Sequence, residues 1–231
     1  MAPVIGVIRF PGTNCEFDVA EAVDQLGGRA ELLWHGEPSL GDVDGVVVPG
    51  GFAHGDYLRP GAIARFSPIM AAVERFAADG GPVIGICNGF QVLTEAGLLP
   101  GALQKNAGLK FRCGPAQLVV CSTNSALSSE LTLGESLSIP INHFEGNYTC
   151  SPETLAELRA DDRVIFRYAD NPNGSVDDIA GICSTQRNVV GLMPHPERAS
   201  HELLGSSDGV PMLRSLLIAA GAAVSGRSRP S

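Results

Sequence analysis

Val4-Ile5-Gly6-Val7-Ile8 is an unbroken apolar run near the start of the chain. Runs without polar alternation belong to strands covered on both faces of a parallel sheet. A second strand is read over 30–34, and similar apolar runs recur at Gly45-Val46-Val47-Val48 and at Val83-Ile84-Gly85-Ile86. Between them the apolar spacing turns helical. Asn14 is placed to cap a helix through Gln25, with Phe17, Ala20, Val23 and Leu26 inward and Gly27-Gly28 as its stop. Further helices are expected over 63–78 and 90–96. Strands alternating with helices in this way predict an α/β fold with a central, mostly parallel sheet flanked by helices.

After Gly101 the pattern changes. Strand-like runs at 118–121, 137–141 and 164–168 have few helices between them, and no linker sets them apart. They predict a smaller antiparallel extension of the same domain. Runs at 179–183 and 189–193 flank Thr185-Gln186-Arg187-Asn188 as in a hairpin and lead to His195. A last helix is expected over 211–223. The chain is thus read as a single domain, 1–224, with a polar, disordered tail over 225–231.

Composition narrows the function. The 231 residues are 44% hydrophobic and 18% charged, as in a soluble globular domain. The formal net charge is −9 and Lys105 and Lys110 are the only lysines, which argues against a nucleic-acid partner. No apolar run reaches membrane-spanning length, and no basic segment precedes the first strand, so neither a membrane partner nor export is expected. The six cysteines, Cys15, Cys87, Cys113, Cys121, Cys150 and Cys183, show no C-x-x-C spacing. Reduced thiols in the cytoplasm, without a metal site, are the expectation.

Two stretches carry candidate chemistry. In Gly85-Ile86-Cys87-Asn88-Gly89 a cysteine sits between a buried strand and a helix, with glycines two residues to either side. That is the spacing of a nucleophile elbow. The sharp turn crowds neighbouring backbone, so side chains at both flanks would clash. It leaves the sulfur at a helix N-terminus, whose positive end favours an anion. In Met193-Pro194-His195-Pro196-Glu197-Arg198 a histidine leaves an apolar strand between two prolines. Extended backbone turns residues two apart to the same side, so Glu197 can hold the far nitrogen of His195. Cys87, His195 and Glu197 then form a nucleophile, a base and its orienting carboxylate. An oxyanion would need backbone donors. Asn88 and the pair Gly50-Gly51 at the end of a neighbouring strand are the candidates.

These residues resemble the class I, or triad, glutamine amidotransferases, whose sheet is flavodoxin-like. The match lies in Pro49-Gly50-Gly51, in 85–91 and in His195-Pro196-Glu197. The runs 10–15 and 49–64 and Asn88 beside the cysteine resemble, more narrowly, the glutaminase subunits that serve purine biosynthesis. The likeness covers residues 3 to 221. It implies that Cys87 attacks the side-chain amide of glutamine, that His195 shuttles the proton and that Glu197 orients His195. It implies that Gly51 and Asn88 hold the oxyanion and that Gln91 seats glutamine. Ammonia would pass to a large synthetase subunit, in a complex with a small third subunit. The synthetase would use ATP and Mg to convert formylglycinamide ribonucleotide to its amidine. No phosphate-binding G-x-x-x-x-G-K-[ST] run occurs in this chain, which fits such a division of labour. His54 departs from the family pattern, where an aromatic is expected, and Asn142-His143-Phe144-Glu145-Gly146 is a loose version of its H-G-E-G run. The elbow alone also fits an amidotransferase serving another acceptor, or a cysteine peptidase-like enzyme.

Overall fold

The computed structural model describes residues 2–226. In chain order its regular elements are β1 (Val4–Arg9), α1 (Glu16–Gln25), β2 (Arg29–Trp34), β3 (Gly45–Val48), α2 (Pro68–Ala78) and β4 (Val83–Ile86). Next come α3 (Asn88–Glu95), β5 (Ala102–Gln104), β6 (Arg112–Val120), β7 (Ser136–His143) and β8 (Asn147–Thr149). The last are α4 (Pro152–Ala160), β9 (Val164–Tyr168), β10 (Ile179–Cys183), β11 (Val189–Leu192) and α5 (Gly209–Gly226).

One sheet of 9 strands runs in the order β2-β1-β3-β4-β11-β10-β9-β6-β7. β2, β1, β3, β4 and β11 are mutually parallel. From β11 outward every pairing is antiparallel. The predicted extension is therefore part of the central sheet, and a separate two-stranded ladder, β5 with β8, sits beside it. The continuous apolar runs are the inner strands: β3, β4, β10 and β11 are buried at every position. α1 and α5 pack together, and α3 lies against β3, β4 and β11. The Phe90 ring of α3 stacks on Tyr148 of β8, with centroids 5.8 Å apart, which ties the parallel half to the extension.

Three helix expectations need correction. The inward face of α1 is Glu16, Val19, Ala22 and Val23, and Phe17 is 60% exposed. The helix begins at Glu16 with Cys15 as its cap, so the buried stripe turns by one position. Glu16 is drawn inward by an ion pair with Arg9 at 3.0 Å, and Arg9 lies over the Phe17 ring. The segment expected as one helix over 63–78 is two. A short turn at Ala64–Phe66 stops at an extended Ser67 (ψ 141°), and α2 starts at Pro68. Proline disfavours helical backbone in the residue before it and starts helices well. α5 extends to Gly226, so the expected tail loses its first two positions to the helix, and the rest of it lies outside the described residues.

Parallel strands collect loops at their carboxyl ends, and the strand order reverses around β1. Crevices form at such a switch point. The loops after β1, β3, β4 and β11 carry Cys15, Gly50-Gly51, Cys87 and His195 respectively.

Candidate active site

Cys87 stands between β4 and α3 with φ 52° and ψ −106°, a strained backbone for a residue with a side chain. Its own N–H bonds the Leu192 carbonyl at 2.8 Å, and its carbonyl accepts from Phe90 and Gln91. The two elbow glycines are sterically required. A Cβ at Gly85 would lie 2.7 Å from the Gly89 carbonyl, and one at Gly89 would collide with the Val48 carbonyl oxygen. The Asn88 N–H belongs to the first turn of α3, where backbone donors have no partner within the helix.

His195 enters from β11. Its N–H bonds the Pro140 carbonyl at 2.8 Å, and its Nδ1 is 2.6 Å from Glu197 Oε1. Both side chains are buried. Its other nitrogen, Nε2, has no hydrogen-bond partner and lines the same cleft as Cys87. Burial opposes a charged imidazole here. The Glu197 carboxylate and the Cys87 and Cys15 sulfurs outweigh it and hold His195 well above its ordinary range. His195 and Cys87 meet across Gly50: a Cβ there would lie 2.8 Å from His195 Cε1, 3.1 Å from Cys15 Sγ and 3.5 Å from Cys87 Cβ. Gly50→Ala should therefore push the imidazole aside. A displacement of that size costs about 10²-fold in kcat. Glutaminase kinetics beside a thermal melt would check this, and wild-type turnover in the alanine variant would refute it.

Gly51 has φ 145°, and a Cβ there would lie 2.8 Å from Asn14 N and Thr13 Cα. Only glycine lets the chain after β3 lie against the loop after β1. The Asn88 and Gln91 side chains are bound within the protein. Asn88 accepts from Ala53 N–H at 2.9 Å and donates to Asp56 Oδ1 at 3.1 Å and Gln91 Oε1 at 2.8 Å. Gln91 Nε2 donates to the Glu145 carbonyl at 2.6 Å. Gln91 does line the cleft, with both ends of its amide already engaged.

The cleft is also lined by Cys15, Asp56, Asn142, His143 and Glu145, which lie in the family-like runs 10–15, 49–64 and 142–146 but were given no role there. Cys15 Sγ contacts Asn14 Oδ1 at 3.2 Å and Arg198 Nη2 at 3.1 Å. One ligand-type atom from each of Cys15, His195 and Glu197 falls within 4.8 Å of the others. His143 bonds Asn106 through Nδ1 at 3.1 Å, and burial, then the charge of His195, pushes it down to about 4. The 10–15 run was the one sequence feature pointing to Cys15. The runs 49–64 and 142–146 contain Asp56 and Glu145, but loops far apart in the chain bring the two together, so no local signal gave their place in the cleft. Of the two departures from the family pattern, the 142–146 run lines the cleft itself, and His54 packs against His35, with centroids 5.1 Å apart and edge-on. Arg59, nearby in the 49–64 run, forks onto Glu95 at 2.5 and 2.7 Å.

The free volume of the cleft is about 40 Å³, room for little more than water. A larger groove of about 630 Å³ lies behind Glu197 and Arg198, away from the Cys87 sulfur. No helix among the described residues is long and apolar enough to cross a membrane.

Residues 2–208 match the CobB/CobQ-like glutamine amidotransferase domain. The phosphoribosylformylglycinamidine synthase subunit PurQ of Rubrobacter xylanophilus is 54% identical over 216 residues, 94% of this chain and 98% of that protein. The chain belongs to the PurQ family of glutamine amidotransferases. The PurQ subunit of Cereibacter sphaeroides is 57% identical over 212 residues, 91% of this chain and 96% of its own length. A chain in the solved structure of PurLQS from Thermotoga maritima superposes with a TM-score of 0.87 at 39% identity, covering 94% of this chain and 99% of that one. Membership in the PurQ family confirms the α/β amidotransferase fold expected from sequence, and it disfavours the peptidase-like alternative.

Proposed function

We propose that Cys87, His195 and Glu197 perform the glutaminase half of formylglycinamide ribonucleotide amidination. The chain is the glutaminase subunit of a phosphoribosylformylglycinamidine synthase. Cys87 Sγ attacks the side-chain carbonyl carbon of glutamine, and His195 Nε2 takes the thiol proton. The N–H groups of Gly51 and Asn88 hold the oxyanion of the tetrahedral intermediate. Its collapse breaks the C–N bond, His195 returns the proton to the leaving amine, and ammonia departs. A γ-glutamyl thioester remains on Cys87. Water, deprotonated by His195, then hydrolyses it to glutamate and restores the thiol. Glu197 fixes the imidazole through Nδ1 and stabilises its charged form. Gln91 walls the glutamine pocket and fixes Asn88.

The observation that best supports these roles is the buried 2.6 Å bond from His195 to Glu197, with the free Nε2 turned to the cleft of Cys87. The ammonia passes to a large synthetase subunit, which holds ATP and Mg, in a cytoplasmic complex completed by a small third subunit. The near-closed cleft fits a glutaminase whose rims part when glutamine or the synthetase engages it. Reconstitution with the synthetase subunits tests the assignment. Amidine formation should consume one glutamine per product, and no peptide should be cleaved. Peptide cleavage without glutamate release would reverse it.

A further inference from the structure

Cys15 stands at the head of α1, yet its side chain caps none of the free N–H groups there. A cap residue ordinarily spends its polar atom on that first turn. Here the buried sulfur is engaged elsewhere. The Cys15 N–H bonds the Gly50 carbonyl at 3.2 Å, which fixes the loop after β1 against the loop after β3. Gly50 in turn sets the sulfur beside the catalytic base. A single methyl on that glycine would touch both, at 3.1 Å from Cys15 Sγ and 2.8 Å from His195 Cε1. The sulfur also lies within 4.8 Å of a ring nitrogen of His195 and of a carboxylate oxygen of Glu197.

The bonds of the sulfur decide what it presents to the ring. Its hydrogen is donated to Asn14 Oδ1 at 3.2 Å, and Sγ accepts from Arg198 Nη2 at 3.1 Å. Arg198 is itself held by Asp18 of α1, through Nε at 3.1 Å. With its hydrogen spent on Asn14, Cys15 offers the imidazole lone-pair density. Such density favours a protonated ring over a neutral one. Glu197 fixes the ring through Nδ1 alone, at 2.6 Å. We infer that Cys15, clamped by Arg198, is a second positioning residue for His195, which keeps the imidazole aimed at Cys87 and steadies the charge the ring gains with the thiol proton. The inference rests on Cys87 and His195 as nucleophile and base. Burial opposes the charged ring, and Cys15 is among the groups that outweigh it, after Glu197 and Cys87. The remaining titratable groups of the cleft are Asp56, His143 and Glu145.

The test uses the complex with the synthetase subunits. Glutamine turnover is divided by the ammonium-driven rate of the same preparation, so that assembly is scored separately. In Cys15→Ala, kcat for glutamine should fall about ten-fold, as a sub-ångström misplacement of the base implies, with KM within about two-fold of the native value. His195 also loses a group that favours its charged form, so the ring gives up its proton at lower pH. The alkaline limb of kcat/KM, where the last proton shared by Cys87 and His195 leaves, should move down by about half a pH unit or more. Cys15→Ser keeps an acceptor for Arg198 and should recover part of both effects. Arg198→Gln, which unclamps the sulfur, should lower kcat in the same direction. Native kcat in Cys15→Ala, or a loss carried by KM, would overturn the inference. So would a lower kcat and a lower Tm with the alkaline limb in place, because lost packing alone produces that. Absence of the γ-glutamyl thioester from the native enzyme would remove Cys87 as the nucleophile and the inference with it. Its presence there beside unchanged Cys15→Ala kinetics would remove the inference alone.

Discussion

Cys87→Ala should abolish glutamine-dependent amidine synthesis in the reconstituted complex while synthesis from free ammonium continues. In the proposed mechanism the Cys87 sulfur forms the covalent intermediate, so its removal closes that route. The expected loss in glutamine hydrolysis is at least about 10⁴-fold. Cys87→Ser should be nearly as severe, since the hydroxyl is a poorer nucleophile on the same backbone. Under the proposed division of labour ammonium bypasses the cleft and reacts at the synthetase subunit, so the ammonium-driven rate reports an intact complex. Parallel assays with the two nitrogen sources decide the matter. Full glutaminase turnover in the alanine variant would refute the assignment of Cys87, and with it the roles of His195 and Glu197.

Gly89→Ala should be the most damaging single methyl in the fold. Its Cβ would meet the Val48 carbonyl oxygen, a backbone atom of the central β3 strand. No side-chain rotation relieves that contact. Either α3 lifts from the sheet or β3 shifts. Overpacking of this kind costs about 3 kcal/mol. For a chain of this size that lowers Tm by about 6 to 12 °C. The elbow moves with α3, so alkylation of Cys87 should slow in the same variant. A thermal melt beside a timed alkylation would measure both. An unchanged Tm would show that the close approach of α3 to Val48 is not what requires the glycine.

Much of this architecture is legible in the chain because its signals are local. β3, β4 and β11 are unbroken apolar runs, and burial on both faces is what such runs require. The elbow is legible because crowding dictates its glycines at fixed offsets from Cys87. His195 and Glu197 are legible because two residues of extended chain set their spacing. What escaped depends on contacts made across the fold. The inward face of α1 follows from the pull of Arg9 on Glu16, which no helical spacing encodes. The break at Ser67 follows from Pro68, whose effect on the preceding residue outweighs the helix propensity around it. Cys15, Asp56 and Glu145 lie in runs the sequence did single out, but they come from three loops, and only the order of strands in the sheet gathers them into one cleft.

The amide relay through Asn88 and Gln91 has a mechanical consequence. It fastens Ala53 and Asp56 on one bank, and the Glu145 carbonyl on the other, to the residues just past the sulfur. Neither bank swings outward without loosening a link in that relay. Admission of a substrate and the aim of the attacking atom are therefore one coupled motion, and the aim is restored only when the gate shuts.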